Sequence, residues 1–151
     1  MLLAYRLPRE PSTPRSALWR KLRRLGAAQL LDGLAALPLD ARTREQLEWL
    51  ADEVTESRGE ATIWVGELAS LAQERELAAG MAEAVATDYR RLIAEAEAVR
   101  DELAGARRRT LGRLRRELRR IRARDYFPTP ERELAQQSLS ELAALVEEPV
   151  R

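Results

Sequence analysis

The sequence predicts an α+β fold, with strands confined to the first 69 residues and helices alone thereafter. Three observations carry that reading. Short apolar runs bounded by Gly, Pro or Asp alternate with two amphipathic stretches over residues 1–67. From about Leu71 the composition turns to Ala, Glu, Arg and Leu, and strand signals stop. Apolar residues beyond that point recur mostly at spacings of four and three, the period of a helical seam. Residues 1–69 are therefore expected to form an α+β domain and residues 70–151 a helical extension packed as one unit.

Residues 2–7 alternate around Tyr5 and read as a strand, which Pro8 and Pro11 end. Ser12 or Thr13 is positioned to cap a helix with Pro14 in its first turn. That helix is predicted to reach Leu25, with Leu18, Trp19, Leu22 and Leu25 on its buried face, and to stop at Gly26. Apolar runs at 27–31 and 34–39 flank Asp32-Gly33, a hairpin signal. Asp40 then caps a second helix whose stripe is Leu47, Leu50, Ala51 and Val54, and Arg58-Gly59 closes it. Residues 61–65 read as a last strand. Trp19 and Trp64 are expected between helix and sheet, whereas Trp49 lies off its stripe, at the core's edge or on a contact surface. The order strand, helix, strand, strand, helix, strand is the split βαβ, or ferredoxin-like, pattern: an antiparallel sheet with two helices on one face.

In the second part, Met81, Val85, Tyr89, Leu92, Ala96, Val99 and Leu103 form one seam and Leu111, Leu114, Leu118 and Ile121 another. With a turn or kink at Gly105 the pair reads as an antiparallel helical hairpin. Residues 125–130, with Pro128 and Pro130, must break the helix. A terminal helix follows over about 131–147, using Leu134, Leu139, Leu142 and Leu145 and anchored by Tyr126 and Phe127.

Composition narrows the chemistry. The 151 residues include no cysteine and no histidine, so disulfides, thiolate chemistry, the usual zinc, copper and iron sites and histidine acid-base catalysis are not expected. No nucleophile elbow or Gly-rich phosphate loop is present, and no catalytic residue, metal ligand or cofactor is assigned. The opening apolar stretch is too short for a signal peptide, and nothing approaches the ~20 apolar residues that span a bilayer. A cytoplasmic, non-enzymatic protein is expected.

The net charge of +1 conceals segregated blocks. Residues 1–24 carry a local net of +6, residues 25–106 one of −10, residues 107–124 one of +9 and residues 125–151 one of −4. Lysine occurs once, at Lys21, so the cations are arginines, whose planar forks suit phosphate and other oxyanions. Arg107, Arg108, Arg109, Arg113, Arg115, Arg116, Arg119, Arg120 and Arg122, followed by Arg124, surround the predicted seam of one helix. Residues 74–104 offer a net of only −4 against that +9, which leaves about five charges without a partner in the hairpin. Three uses are open: contact with nucleic-acid phosphates, a solvated structural face, or another protein's acidic surface. Arg15, Arg20, Arg23 and Arg24 on the first helix form a second candidate, for phosphate, for an oxyanion such as chromate, or as an ordinary exposed face.

Tyr5-Arg6-Leu7-Pro8, Glu10-Pro11-Ser12, Arg15, Trp19-Arg20, Leu22, Leu25-Gly26-Ala27, Leu31-Asp32-Gly33 and Leu37-Pro38, in that order, resemble the N-terminal domain of ChrB, the chromate-resistance regulator. Arg124-Asp125-Tyr126-Phe127-Pro128, with the helix behind it, is similar to that domain's closing motif. The resemblance implies a part in the transcriptional response to chromate. ChrB proteins usually carry a second, C-terminal chromate-resistance domain, and a chain without that domain is expected here. The expected function is thus a ChrB-like transcriptional regulator or accessory factor of a chromate-resistance operon, a homodimer binding DNA through the arginine-rich helix. The alternatives are an oxyanion sensor that does not touch DNA and a protein–protein interaction module.

Overall fold

The computed structural model describes residues 1–147. Its elements are β1 (Leu2–Arg6), α1 (Thr13–Leu25), β2 (Ala28–Leu31), β3 (Leu34–Ala36), α2 (Ala41–Glu56), β4 (Glu60–Trp64), α3 (Leu71–Ala98), α4 (Ala104–Ala123) and α5 (Glu131–Glu147). They divide into two compact units, Met1–Met81 and Ala82–Arg151, with the division falling inside α3.

In the first unit a four-stranded sheet has the order β2-β3-β1-β4, and every neighbouring pair is antiparallel. Each strand–helix–strand crossover therefore skips a strand, so β1 and β2 run the same way with β3 between them. Leu3 stands at the centre of the register, opposite Ala35 on one side and Ile63 on the other. With Leu18, Leu22, Leu47, Leu50 and Val54 it makes a core beneath α1 and α2, which Lys21 and Glu53 bridge at 2.5 Å.

Local chemistry explains the junctions. Asp40 Oδ1 accepts the Thr43 N–H at 2.8 Å while Thr43 Oγ1 accepts the Asp40 N–H at 3.0 Å, a reciprocal cap that starts α2. The Thr43 hydroxyl also donates to Pro38 O at 2.6 Å, and the side chain is buried. The Thr43 N–H is also the main reason the Asp40 carboxyl lies below its ordinary value. Gly26 ends α1 in the left-handed conformation, at φ 76°. Gly33 closes the β2–β3 hairpin at φ 78°, and a Cβ there would lie 2.4 Å from Tyr5 O.

Two expectations fail here. Trp19 is 51 % exposed and Trp64 61 % exposed, so neither fills the core. In β4 the two-residue period points Ala61 and Ile63 one way and Trp64 the other, with Glu60 and Thr62. In α1, Leu18 and Leu22 already form the buried pair, and Trp19 lies one residue round the helix, under the Arg23 guanidinium at 4.9 Å.

The second unit is a three-helix core of Val85, Tyr89, Leu92 and Ala96 from α3, Leu111, Leu114, Leu118 and Ile121 from α4, and Ala135, Leu139 and Leu142 from α5. Ion pairs set the directions. Glu95 with Arg113 and Asp88 with Arg124 make α3 and α4 antiparallel. Arg90 with Glu131 and Arg100 with Glu141 make α3 and α5 parallel. Leu103 is 83 % exposed and precedes α4 rather than ending a seam. The turn lies before Gly105, which belongs to α4. Leu134 is 53 % exposed, because Ala135 supplies the first buried position of α5 instead.

Candidate functional site

Leu111, Leu114, Leu118 and Ile121 anchor α4 by a stripe of three- and four-residue spacings, which turns most of its arginines outward. The arginines then sort by what they touch. Arg113 reaches Glu95 at 2.7 Å and Arg120 reaches Glu117 at 3.6 Å. Arg124 binds Asp88 at 2.8 Å. Arg107 donates to three backbone carbonyls, Arg100 O at 3.1 Å, Glu102 O at 3.0 Å and Leu145 O at 3.1 Å. It thereby satisfies carbonyls beyond the end of α3 and in the last turn of α5, where a cation also meets the negative dipole end.

Arg108, Arg109, Arg115, Arg116, Arg119 and Arg122 have no carboxylate within ion-pair distance among the described residues. At ~100° per residue these six share one arc of about 140°, running about 21 Å along the helix. Arg113 and Arg120 lie just beyond one edge of that arc, toward α3. Two of the six, Arg108 and Arg109, stand in the first turns of α4, where no acidic residue or side-chain cap opposes them.

Arg115, Arg119 and Arg122 also form one wall of a groove of about 190 Å³ whose other wall is Gln136 and Ser140 on α5, with Leu118 and Leu139 between them. The Nε of Arg122 is buried without a hydrogen-bond partner among the described residues. At the far end of the helices the Tyr89 hydroxyl donates to Asp125 at 2.8 Å. Burial first, and that bond second, push the phenol well above its ordinary value.

The first unit holds its own basic site, a concave basin of about 860 Å³. Arg15 and Arg20 line it from α1, together with Trp19; Arg6, Arg9, Tyr5, Gln29 and Asp32 complete it from strand and loop. Arg23 and Arg24 are exposed and lie outside its lining. Arg6 is held by Glu60 at 2.6 Å.

Residues 15–149 match the family described as Protein ChrB, N-terminal. The chain belongs to that family. The ChrB match spans nearly the whole chain and takes in the α4 ridge and the α1 arginines. Its first residue is Arg15, so the Tyr5-Arg6-Leu7-Pro8 block of the resemblance stands ahead of the matched span. No curated protein and no solved structure matches the chain.

For a ChrB-type chain, then, nine ridge residues expected from sequence divide into six with no acidic partner among the described residues and three that are engaged: Arg107, Arg113 and Arg120. Sequence reasoning missed Arg6, Arg9, Tyr5 and Gln29 in the basin and Gln136 and Ser140 in the groove. Tyr5 and Arg6 stand in the block that carries the family resemblance, but no local signal marks any of the six as a site residue, since each gains its place only when separate elements meet. Among the described residues no group of three or more acidic side chains is placed to hold a metal ion. No helix of the structure is long and apolar enough to cross a membrane.

Proposed function

We propose that this ChrB-type chain is a non-enzymatic transcriptional regulator, or an accessory factor, of a chromate-resistance operon that binds DNA through α4. The reading takes the first unit as a ferredoxin-like scaffold, which its skipped-strand crossovers support. One observation carries the DNA assignment: six arginines share one arc of α4 and have no carboxylate partner among the described residues. An intramolecular charge zipper would use the cations on the side toward α3, as Arg113 and Arg124 are used. It has no use for the opposite side. Guanidinium groups that displace condensed counterions from phosphates do. A two-fold homodimer belongs to this reading, since paired half-sites are matched by paired readers.

The test is a mobility shift on the chain's own upstream DNA, read as a salt titration. Wild-type affinity should fall steeply with salt. Arg115→Ala, Arg116→Ala and Arg119→Ala combined should reduce the log–log slope by about 2.7, at ~0.9 for each phosphate no longer neutralised. An unchanged slope in the triple variant would remove α4 from the interface. A second reading, an oxyanion effector such as chromate, is favoured by the groove where Arg115, Arg119 and Arg122 face Gln136 and Ser140. It predicts that chromate raises the melting temperature and that Arg122→Ala abolishes the rise.

A further inference from the structure

The basin of the first unit does not fit a ridge that tracks a polyanion. It is concave, and its volume of about 860 Å³ lies in the ~300–1,000 Å³ range of small-molecule sites. That is far more room than a single tetrahedral oxyanion fills. Its charge is one-sided. Among its lining residues four are arginines and one, Asp32, is acidic. Arg6 is already bound to Glu60, but Arg9, Arg15 and Arg20 have no carboxylate within ion-pair distance among the described residues.

The lining is also chemically divided. On α1, Ser12, Arg15, Ser16, Trp19 and Arg20 recur at three- and four-residue spacings, so one helix face presents guanidinium and hydroxyl donors beside an indole. The helix starts after Ser12, which forms no side-chain cap, and it has no acidic residue in its first turn. Across from this face stands a polar wall. Gln29 Nε2 donates to the Tyr5 hydroxyl at 3.0 Å and to Leu31 O at 2.7 Å, which fixes the amide in place. The indole of Trp19 is 51 % exposed although it sits beside a pocket large enough to use it. Its contact with Arg23 at 4.9 Å holds it there.

We propose that this basin binds a phosphorylated small molecule with a planar ring, of the nucleoside diphosphate class. Arg9, Arg15 and Arg20 take the phosphoryl oxygens and Trp19 meets the ring. Guanidinium forks match phosphoryl geometry, and an aromatic face stacks any base without selecting it. The proposal is independent of the DNA reading, because the basin is lined by residues of the first unit and by none of the α4 arginines.

The experiment is calorimetric titration of the full chain, with thermal melts in parallel. The probes are ADP, GDP, pyrophosphate, adenosine and sulfate. ADP and GDP should bind saturably and raise the melting temperature, pyrophosphate should bind more weakly, and adenosine and sulfate should do neither at equal concentration. Arg9→Ala and Arg15→Ala should each weaken ADP about tenfold or more. Both residues are exposed, so the unliganded melting temperature should not move. Trp19→Leu should weaken ADP and leave pyrophosphate unchanged. Arg24→Ala, outside the lining, should change nothing. Equal effects of ADP and sulfate would reduce the basin to a generic cationic surface and overturn the proposal. So would the lack of saturable ADP binding, or an oligothymidylate that binds through Arg9 and Arg15 when ADP does not.

Discussion

Tyr89 and Asp125 join the breaker after α4 to the middle of α3. The phenol is fully buried, the carboxylate side chain is 1 % exposed, and the hydrogen bond between them is 2.8 Å long. Among the described residues, Arg132 is the cation within ion-pair distance of that carboxylate, at 3.9 Å. Tyr89→Phe should therefore cost about 2 kcal/mol, the penalty for a buried acceptor that loses a close donor. The pH dependence follows from the direction of the shift. A phenol raised above its ordinary 10.0 contributes fully below that value and loses its contribution as pH rises through the folded one. Melts from neutral to strongly alkaline pH should show a steep loss in the wild type and a flatter one in Tyr89→Phe. Gly112 offers the opposite change. It lies in α4 on the arginine arc, and a Cβ there would meet only Arg116 Nη1, at 3.8 Å. Gly112→Ala should raise the unfolding free energy by about 0.5–1 kcal/mol in denaturant titrations. A loss of stability would mean that the position is not the open helical site described.

Among the elements, α2 was the most legible in the sequence and α1 the least. Asp40 announced the cap, and the Leu47, Leu50 and Val54 stripe is buried as its spacing required. The partner Thr43 was not foreseen, because a buried threonine is readable only once Pro38 O lies above it. Asp40→Ala should lower stability by about 1 kcal/mol. Its carboxyl is lowered from 3.8, so its contribution is present above that value and fades as pH falls through the folded value. Acid titration of unfolding should show a smaller loss in Asp40→Asn than in the wild type. In α1 the apolar count misled. Leu18, Trp19, Leu22 and Leu25 look like one stripe, yet a helix covered on one side buries Leu18 and Leu22 and turns Trp19 outward. Hydrophobicity alone could not separate a core tryptophan from one at a basin's rim.

For the whole molecule, the electrostatic surplus was legible before the structure and its placement was not. Counting charges along the chain left about five cations over in the helical part. Which of them remain over depends on pairs far apart in sequence, such as Arg124 with Asp88 and Arg100 with Glu141. The engaged residues include Arg107, whose partners are carbonyls that no charge count registers.

Element order, the caps at Asp40 and Gly26, the hairpin at Asp32-Gly33, the helical seams and the arginine excess were all determined by the sequence itself. Each depends on neighbours within a turn or two of chain, where spacing and backbone preference act directly. The tertiary structure alone decided which tryptophans face solvent, which arginines lack partners among the described residues, and that Arg9, Arg15, Trp19 and Gln29 share one basin. Those outcomes depend on elements brought together by packing, and packing geometry is not a property of any local stretch of residues.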